Sequence, residues 1–362
     1  MSENKPSLTS YAKVPSVDWG TSIFKDFNKE RFRAHHLRQL LADPRVDFDH
    51  PDIISLLHSN LDNYIEKEGG LHANSWRRIT SSWKQFVTYC EVNDLAAIPA
   101  HPKTVEEYLK HRAVSVSRST LDIDFWSLNT FHLAAGAPDF ALDKEIEIVR
   151  RSINLQKLDE DKNIEPATPL HKDKLAIIKD RLLQNAKLID LRDAAMLDIS
   201  YACLLRQSEL TGIKVEHIKE WYGTWHLEIP KSKQNKSGRS QFTSLPPSTV
   251  KLITSYMKEA DIEGKRGYLF TGITKYGKIA AGRRQMSYPT VNRVYKKVFD
   301  YVADRYQLGE KSYSSHSCRV GGAEDLLREG RDLAYVMKRG RWKTARMAME
   351  YGRFWLDETP FE

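Results

Sequence analysis

A charged stretch bearing two prolines, Lys157 to Asp173 with Pro166 and Pro169, interrupts an otherwise helical pattern and divides this chain in two. Such a composition suits an exposed linker and not a packed element. At 362 residues the chain is long for one core, and two domains can each bury a substantial apolar interior. The expected organisation is an arm over residues 1–51, a helical domain over 52–156, the linker over 157–173 and a second domain over 174–362.

The first domain reads as four helices. Trp76, Ile79, Trp83, Phe86, Val87 and Cys90 fall on one helical face, with Asn74 or Ser75 placed to cap it. Thr104-Val-Glu-Glu107, after Pro102, has the form of a capping box opening a second helix. A third is predicted over 119–135, with Leu121, Phe125, Leu128 and Phe131 inward and Gly136 as its stop. A fourth spans 143–155. The lead-in holds Pro6, Pro15 and Gly20 with weak periodicity, which predicts a poorly ordered arm.

Beyond the linker, helices are predicted over 175–184 and 192–203. A short β excursion follows: Trp225-His-Leu-Glu-Ile229 and Gln241-Phe-Thr-Ser-Leu245 flank a polar turn containing Gly238, as in a hairpin. The pattern then returns to helix over 248–260, 289–304, 316–329, 332–339 and 344–351. The fold class expected is mainly α: an all-helical N-terminal domain and a mostly α C-terminal domain with one small β hairpin.

Charge separates the halves further. The net formal charge is +8, but residues 200–362 carry +11 and residues 61–199 carry −3. A basic C-terminal half is the footprint of a polyanion binder, because each neutralised phosphate releases a counterion. Cys90, Cys203 and Cys318 lie far apart with no CxxC spacing, so neither a disulfide framework nor a zinc site is supported, and no metal or other cofactor is expected. No apolar run approaches the ~18 residues of a membrane span, and residues 1–29 lack a signal-peptide core. The expectation is an intracellular protein without membrane attachment.

The C-terminal half concentrates residues that suit phosphodiester chemistry. Arg206 in Leu204-Leu-Arg206-Gln-Ser-Glu209 and Arg319 in His316-Ser-Cys-Arg319 offer planar forks that match two phosphate oxygens. Glu209, three residues after Arg206, shares its face if both are helical, and it can orient a neighbouring cation or simply pair with it. His316 and Arg319 share a face of a helix beginning near Ser315, whose N-terminus favours an anion. Trp342 in Gly340-Arg-Trp342 supplies an indole N–H, a donor that cannot act as a base. Tyr351 could attack phosphorus, storing the energy of the broken bond in a phosphotyrosyl link, so no ATP loop is needed. Its phenol, with a reference pKa of ~10, needs nearby cations or a base. Lys231, Lys233, Lys236 and Arg239 crowd the hairpin turn, and any of the lysines can supply the leaving oxygen's proton while the others hold backbone phosphates.

With these residues in place, the chain resembles the tyrosine recombinase (phage integrase) family, in particular its Cre-like site-specific members, over roughly residues 60–355. Leu205-Arg206-Gln-Ser-Glu209-Leu210 is similar to the family's first arginine box and Ser315-His316-Ser-Cys-Arg319-Val-Gly-Gly-Ala323 to the second. Trp342 stands where many members have histidine, and the spacings of 26 and 35 residues from His316 to Trp342 and Tyr351 need no gap. One departure is Leu204, where a glycine is usual.

The resemblance implies that Arg206, His316, Arg319 and Trp342 bind the scissile phosphate and that Tyr351 is the nucleophile. It further implies Lys233 as general acid and Glu209 as the carboxylate behind the arginines. The N-terminal domain would be a SAM-like core-binding half of a clamp around double-stranded DNA with an inverted-repeat site. The protein would be a monomer when free and a homotetramer in the synapse, exchanging strands through a 3′-phosphotyrosyl link and a Holliday junction, in a bacterial cytoplasm at the nucleoid. Arg77 and Lys84 on one helix and Asn292 and Arg293 on another are candidate groove readers, since Arg and Asn edges suit guanine and adenine. A type IB topoisomerase would share the phosphate chemistry, and a non-catalytic DNA-binding protein would share the charge; the complete Arg-Lys-His-Arg-Trp-Tyr set argues against the latter.

Overall fold

The computed structural model describes residues 34–41, 50–160, 167–229, 240–303 and 311–358. The chain forms two compact units, residues 1–165 and 166–362.

The first unit holds α1 (Ala34–Leu41), α2 (Pro51–Glu66), α3 (Ala73–Val92), α4 (Pro102–Ala113), α5 (Arg118–Ala135) and α6 (Lys144–Glu160). Helix α5 is the hub, touching α1, α2, α3 and α4. Its Phe131 stacks on Trp83 of α3 at 4.7 Å, inside a core with Ile79, Phe86, Tyr108 and Leu128. Gly136 ends α5 in left-handed backbone (φ 100°), and a Cβ there would lie 2.8 Å from the Ala34 carbonyl oxygen. That close approach is where α1 docks, burying Leu37 and Leu41. The reading of residues 1–51 as an arm is thus corrected over 34–41: two leucines four apart sufficed to attach a helix, too few to register as periodicity.

The helix starts also differ from expectation. His50, His72 and His101 cap α2, α3 and α4, each Nδ1 accepting from the backbone N–H two residues on, at 3.2, 3.4 and 3.2 Å. Asn74 and Thr104 therefore lie inside their helices, and Thr104 is buried. An unprotonated imidazole offers the same kind of acceptor as the usual Ser, Thr, Asp or Asn cap.

The second unit contains α7 (Lys172–Leu183), α8 (Leu188–Ala202), α9 (Gln207–Gly212), β1 (Ile218–Trp221), β2 (Thr224–Ile229), β3 (Gln241–Ser244), α10 (Pro247–Glu259), α11 (Tyr288–Phe299), α12 (Ser317–Arg328), α13 (Leu333–Gly340) and α14 (Ala345–Glu358). Helix α8 runs through its middle, packed on α7, α10 and α12. The expected hairpin is a three-stranded antiparallel sheet in the order β1-β2-β3, with Leu227 opposite Ile218 on one side and Thr243 on the other. Strand β1 is four residues long, too short to alternate legibly. The turn after it, Tyr222-Gly223 with φ of 50° and 73°, has the left-handed pair that a two-residue hairpin turn requires.

Of the stretch 157–173, residues up to Glu160 continue α6, and Leu170 is fully buried in the second unit. The Leu170 N–H donates to the Ser317 carbonyl at 3.0 Å, and Asp325 accepts from the Lys172 N–H and pairs with His171, both at 2.8 Å. Residues 168–172 thus form a strap along α12. Gly321 makes this possible, since a Cβ there would sit 2.2 Å from the Leu170 carbonyl oxygen. A small apolar cluster of Leu204, Ala323, Leu327, Val336, Trp342 and Ala348, separate from the unit's main core, underlies the last three helices.

Candidate active site

The site is built from three segments that meet over this small cluster. The first is the exit from α8. Leu204 turns the chain in left-handed backbone (φ 47°) and buries its side chain in the cluster. A non-glycine residue there carries a strain of roughly 1–2 kcal/mol, which accounts for the glycine usual at this position. Arg206 follows as the N-cap of α9 and does not lie within that helix. Its relation to Glu209 is accordingly not that of two residues on one helical face: Glu209 Oε2 accepts the Arg206 backbone N–H at 2.9 Å, and Oε1 accepts from the Arg206 guanidinium at 2.8 Å.

The second segment is the start of α12. His316 is its cap residue and Arg319 lies in its first turn, one residue later than expected for the helix start. Arg319 is fully buried, and its two terminal nitrogens donate to the carbonyls of Leu204 and Gly340, the latter at 2.5 Å. Among the described residues no carboxylate forms an ion pair with it, and its buried Nε has no hydrogen-bond partner. Burial above all, then the positive charges of Arg206 and Arg341, hold its pKa down to about 10. His316 is exposed at the edge of the site; partial desolvation, then Arg319 and Arg206, lower its pKa below the usual 6.5. Its ring is therefore neutral at neutral pH.

The third segment runs from α13 to α14. Trp342 is buried, its ring 4.4 Å from the Arg319 guanidinium carbon and 4.9 Å from the Tyr351 ring. Tyr351, half-buried on α14, lies 5.5 Å from the same carbon. A Cβ on Gly340 would fall 1.9 Å from the Trp342 ring, so only glycine lets the indole lie over its own chain. Arg206, Glu209, His316, Arg319, Trp342 and Tyr351 are thus gathered in one place, a phenol among guanidinium groups and an indole.

Two further arginines were not anticipated. Arg341 reaches Glu209 Oε2 at 2.7 Å and the carbonyls of Cys203, Leu204 and Arg339, each at 2.9 Å. Arg339 donates to the Ala202 carbonyl at 2.8 Å and to Thr243 and Ser244 of β3, tying the sheet to the site. In the basic run Lys338-Arg-Gly-Arg341 nothing in the spacing distinguishes them from phosphate contacts. Glu209, at 1% side-chain exposure, is pushed up by burial but brought below the usual carboxylate range by Arg341 and Arg206.

Lys231, Lys233, Lys236 and Arg239 lie outside the described residues. Asn292 and Arg293 are exposed on α11; Asn292 accepts from Gln207, the neighbour of Arg206, at 3.2 Å, and Arg293 donates to Thr290. In the other unit Arg77 is exposed on α3, and Lys84 lines a groove of about 650 Å3 with Tyr89, Tyr108, His111 and Arg112. All three cysteines are free and buried, and burial pushes the thiols of Cys90 and Cys318 up to about 12 and that of Cys203 to about 11. Among the described residues no group of three His, Cys, Asp or Glu side chains is arranged to hold a metal ion, and no helix is long and apolar enough to cross a membrane.

The second unit, mostly helical with one small antiparallel sheet, has a fold similar to that of tyrosine recombinase catalytic domains, and it presents a tyrosine beside a buried arginine. Residues 178–354, which lie within the second unit, match the model of the phage integrase family. The chain is 23% identical over 312 residues to the recombinase Cre of Escherichia phage P1, covering 84% of this chain and 90% of that protein. An integrase/recombinase XerD homolog of Selenomonas ruminantium is 22% identical over 284 residues, covering 77% and 81%. Among solved structures, the fold is similar to the Tn1549 transposon integrase in complex with transposon right end DNA (TM-score 0.56, 13% identity, 82% of this chain and 94% of that one). It is also similar to the XerH site-specific recombinase bound to difH substrate (TM-score 0.53, 13% identity, 90% and 93%).

Proposed function

We propose that this protein is a site-specific recombinase of double-stranded DNA, breaking and rejoining strands through Tyr351. The observation that carries the reading is Arg319, a fully buried cation without a counter-ion among the described residues. Burying an unpaired charge is costly, and a phosphodiester entering beside Tyr351 supplies the missing anion. Arg206 and Arg319 hold its nonbridging oxygens, with His316 and the Trp342 N–H as further donors.

The Tyr351 oxygen then bonds to phosphorus as the bond to the 5′ oxygen breaks, leaving a 3′-phosphotyrosyl link. The phenolic proton passes to solvent water, and Lys233 protonates the departing 5′ oxygen. Attack by a 5′ hydroxyl of the partner duplex reverses the step, and paired exchanges pass through a Holliday junction. The units 1–165 and 166–362 serve as core-binding and catalytic domains, four protomers acting on two inverted-repeat sites at the nucleoid of a bacterial cytoplasm. Arg77, Lys84, Lys231, Lys236, Arg239, Asn292 and Arg293 contribute DNA contacts.

The test is to select duplexes that the full chain binds from a randomised library, then look for protein covalently attached to DNA. Wild type should form the adduct and Tyr351→Phe should bind the same duplex without forming it. Adduct formation by the Phe variant would refute the mechanism. Relaxation of any supercoiled plasmid without site preference would indicate a topoisomerase instead.

A further inference from the structure

Arg341 has a place in this site that the phosphate-binding scheme does not use. It follows Gly340 at the end of α13 in left-handed backbone (φ 57°, ψ 41°), an unfavourable conformation for an arginine. Its side chain is only 7% exposed. One terminal nitrogen donates to the carbonyls of Cys203 and Arg339, the other to the Leu204 carbonyl and Glu209 Oε2. Those four bonds account for every terminal N–H of the guanidinium, and its Nε is buried without a partner among the described residues. Arg341 therefore has no terminal donor left for a phosphate.

What it holds is the support of both arginines that do face one. Glu209 takes Arg341 on Oε2 and Arg206 on Oε1, and the Leu204 carbonyl receives Arg341 and Arg319 together. Resting on the recombinase reading above, the geometry points to Arg341 as a positioning residue that acts through Glu209 to fix Arg206, and with it the charge balance of the strand-transfer step.

Charge counting gives the functional consequence. Among the described groups of the site, Arg206, Arg319 and Arg341 against Glu209 leave two net positive charges, with His316 neutral. A bound phosphodiester cancels one. The five-coordinate phosphorus of the transfer step, with two negative nonbridging oxygens, cancels both. Arg341 thus favours the transition state over bound substrate, the difference that raises a rate constant and not an affinity. It also keeps Glu209 ionised against the pull of burial. The charged groups around Glu209 are Arg206 before α9, Arg341 after α13 and Arg319 on α12.

The test uses the full chain and two substitutions. Arg341→Gly removes the fork while suiting the left-handed backbone, and Arg341→Lys keeps a charge without the fork. In the free protein, a carbon-13 titration of the Glu209 carboxyl needs no substrate. It should read below the usual glutamate value in wild type, rise above it in Arg341→Gly and fall partly back in Arg341→Lys. On a selected duplex, Arg341→Gly should slow single-turnover adduct formation roughly tenfold or more, less than the ~100-fold or greater loss on removing a donor that touches the reacting group. The DNA concentration at half-maximal rate should hardly change, and the acid limb of the rate profile should move to higher pH. In a Glu209→Gln background the same substitution should add little. An unmoved Glu209 titration, or rate losses that simply multiply across the two positions, would overturn the assignment. Failure of wild type to form any adduct would sink the recombinase reading alone, because the titration stands without it.

Discussion

Leu204 and Lys233 pose the sharpest questions at the scale of single residues. Leu204 combines strain with burial: its left-handed φ of 47° costs roughly 1–2 kcal/mol, while its side chain, 1% exposed, fills the cluster beneath Trp342. Truncating a buried leucine costs about 2–5 kcal/mol, so burial outweighs strain. We expect Leu204→Gly to destabilise by roughly 1–3 kcal/mol and, against the usual order, no more than Leu204→Ala, because glycine alone relieves the backbone. Urea unfolding of the two variants checks this, and a glycine variant clearly less stable than the alanine one would contradict it. Lys233→Ala should stall adduct formation on ordinary DNA and spare a duplex with a 5′-bridging phosphorothiolate, whose leaving group needs no proton. Equal losses on both substrates would remove Lys233 as the acid.

Among the elements, α12 does the most to place the site, and its seating depends on Gly321. Substituting alanine there sets a methyl carbon 2.2 Å from the Leu170 carbonyl oxygen, a backbone atom that cannot swing aside. Gly321→Ala should cost about 2–3 kcal/mol or more and slow adduct formation, since α12 carries His316 and Arg319; a variant of wild-type stability would show that the strap yields freely. The same helix marks how much could be read beforehand. Its two residues His316 and Arg319 stand out by spacing, whereas the strap does not, because Leu170 sits among prolines and charges and only long-range packing reveals its partner. Helix extents over the apolar faces were legible for the same reason that β1 and α1 were not: periodicity needs several turns to register. Histidine caps went unseen because the acceptor was a ring nitrogen and not a hydroxyl or carboxylate. Arg341 was illegible in principle, since its significance lies in a carboxylate 132 positions away in the chain.

For the molecule as a whole, acid should loosen the first unit through His132. This side chain is fully buried in the core, its Nε2 accepting from the Ala100 N–H at 3.2 Å and its Nδ1 donating to the Leu128 carbonyl at 2.9 Å. The first bond needs the neutral ring, and burial brings its pKa from 6.5 down to about 4 although the Leu128 contact favours the charged form. Below pH 6.5 the unfolded chain takes up a proton that the folded unit refuses. The stability contribution is therefore complete above pH 6.5 and falls away as the pH drops toward 4, by about 3 kcal/mol. His132→Gln should flatten that part of the profile in urea unfolding at pH 7.5 and 4.5, and a variant as acid-sensitive as wild type would refute it.

The division of apolar packing has a consequence of its own. Because α12, α13 and α14 close over a small cluster separate from the main core of their unit, the amide hydrogens of α13 and α14 should exchange with solvent at a lower opening free energy than those of α8 and α10. The tyrosine and the tryptophan can then leave their places while the rest of the fold stays shut, so the resting chain can carry its reactive groups sheathed.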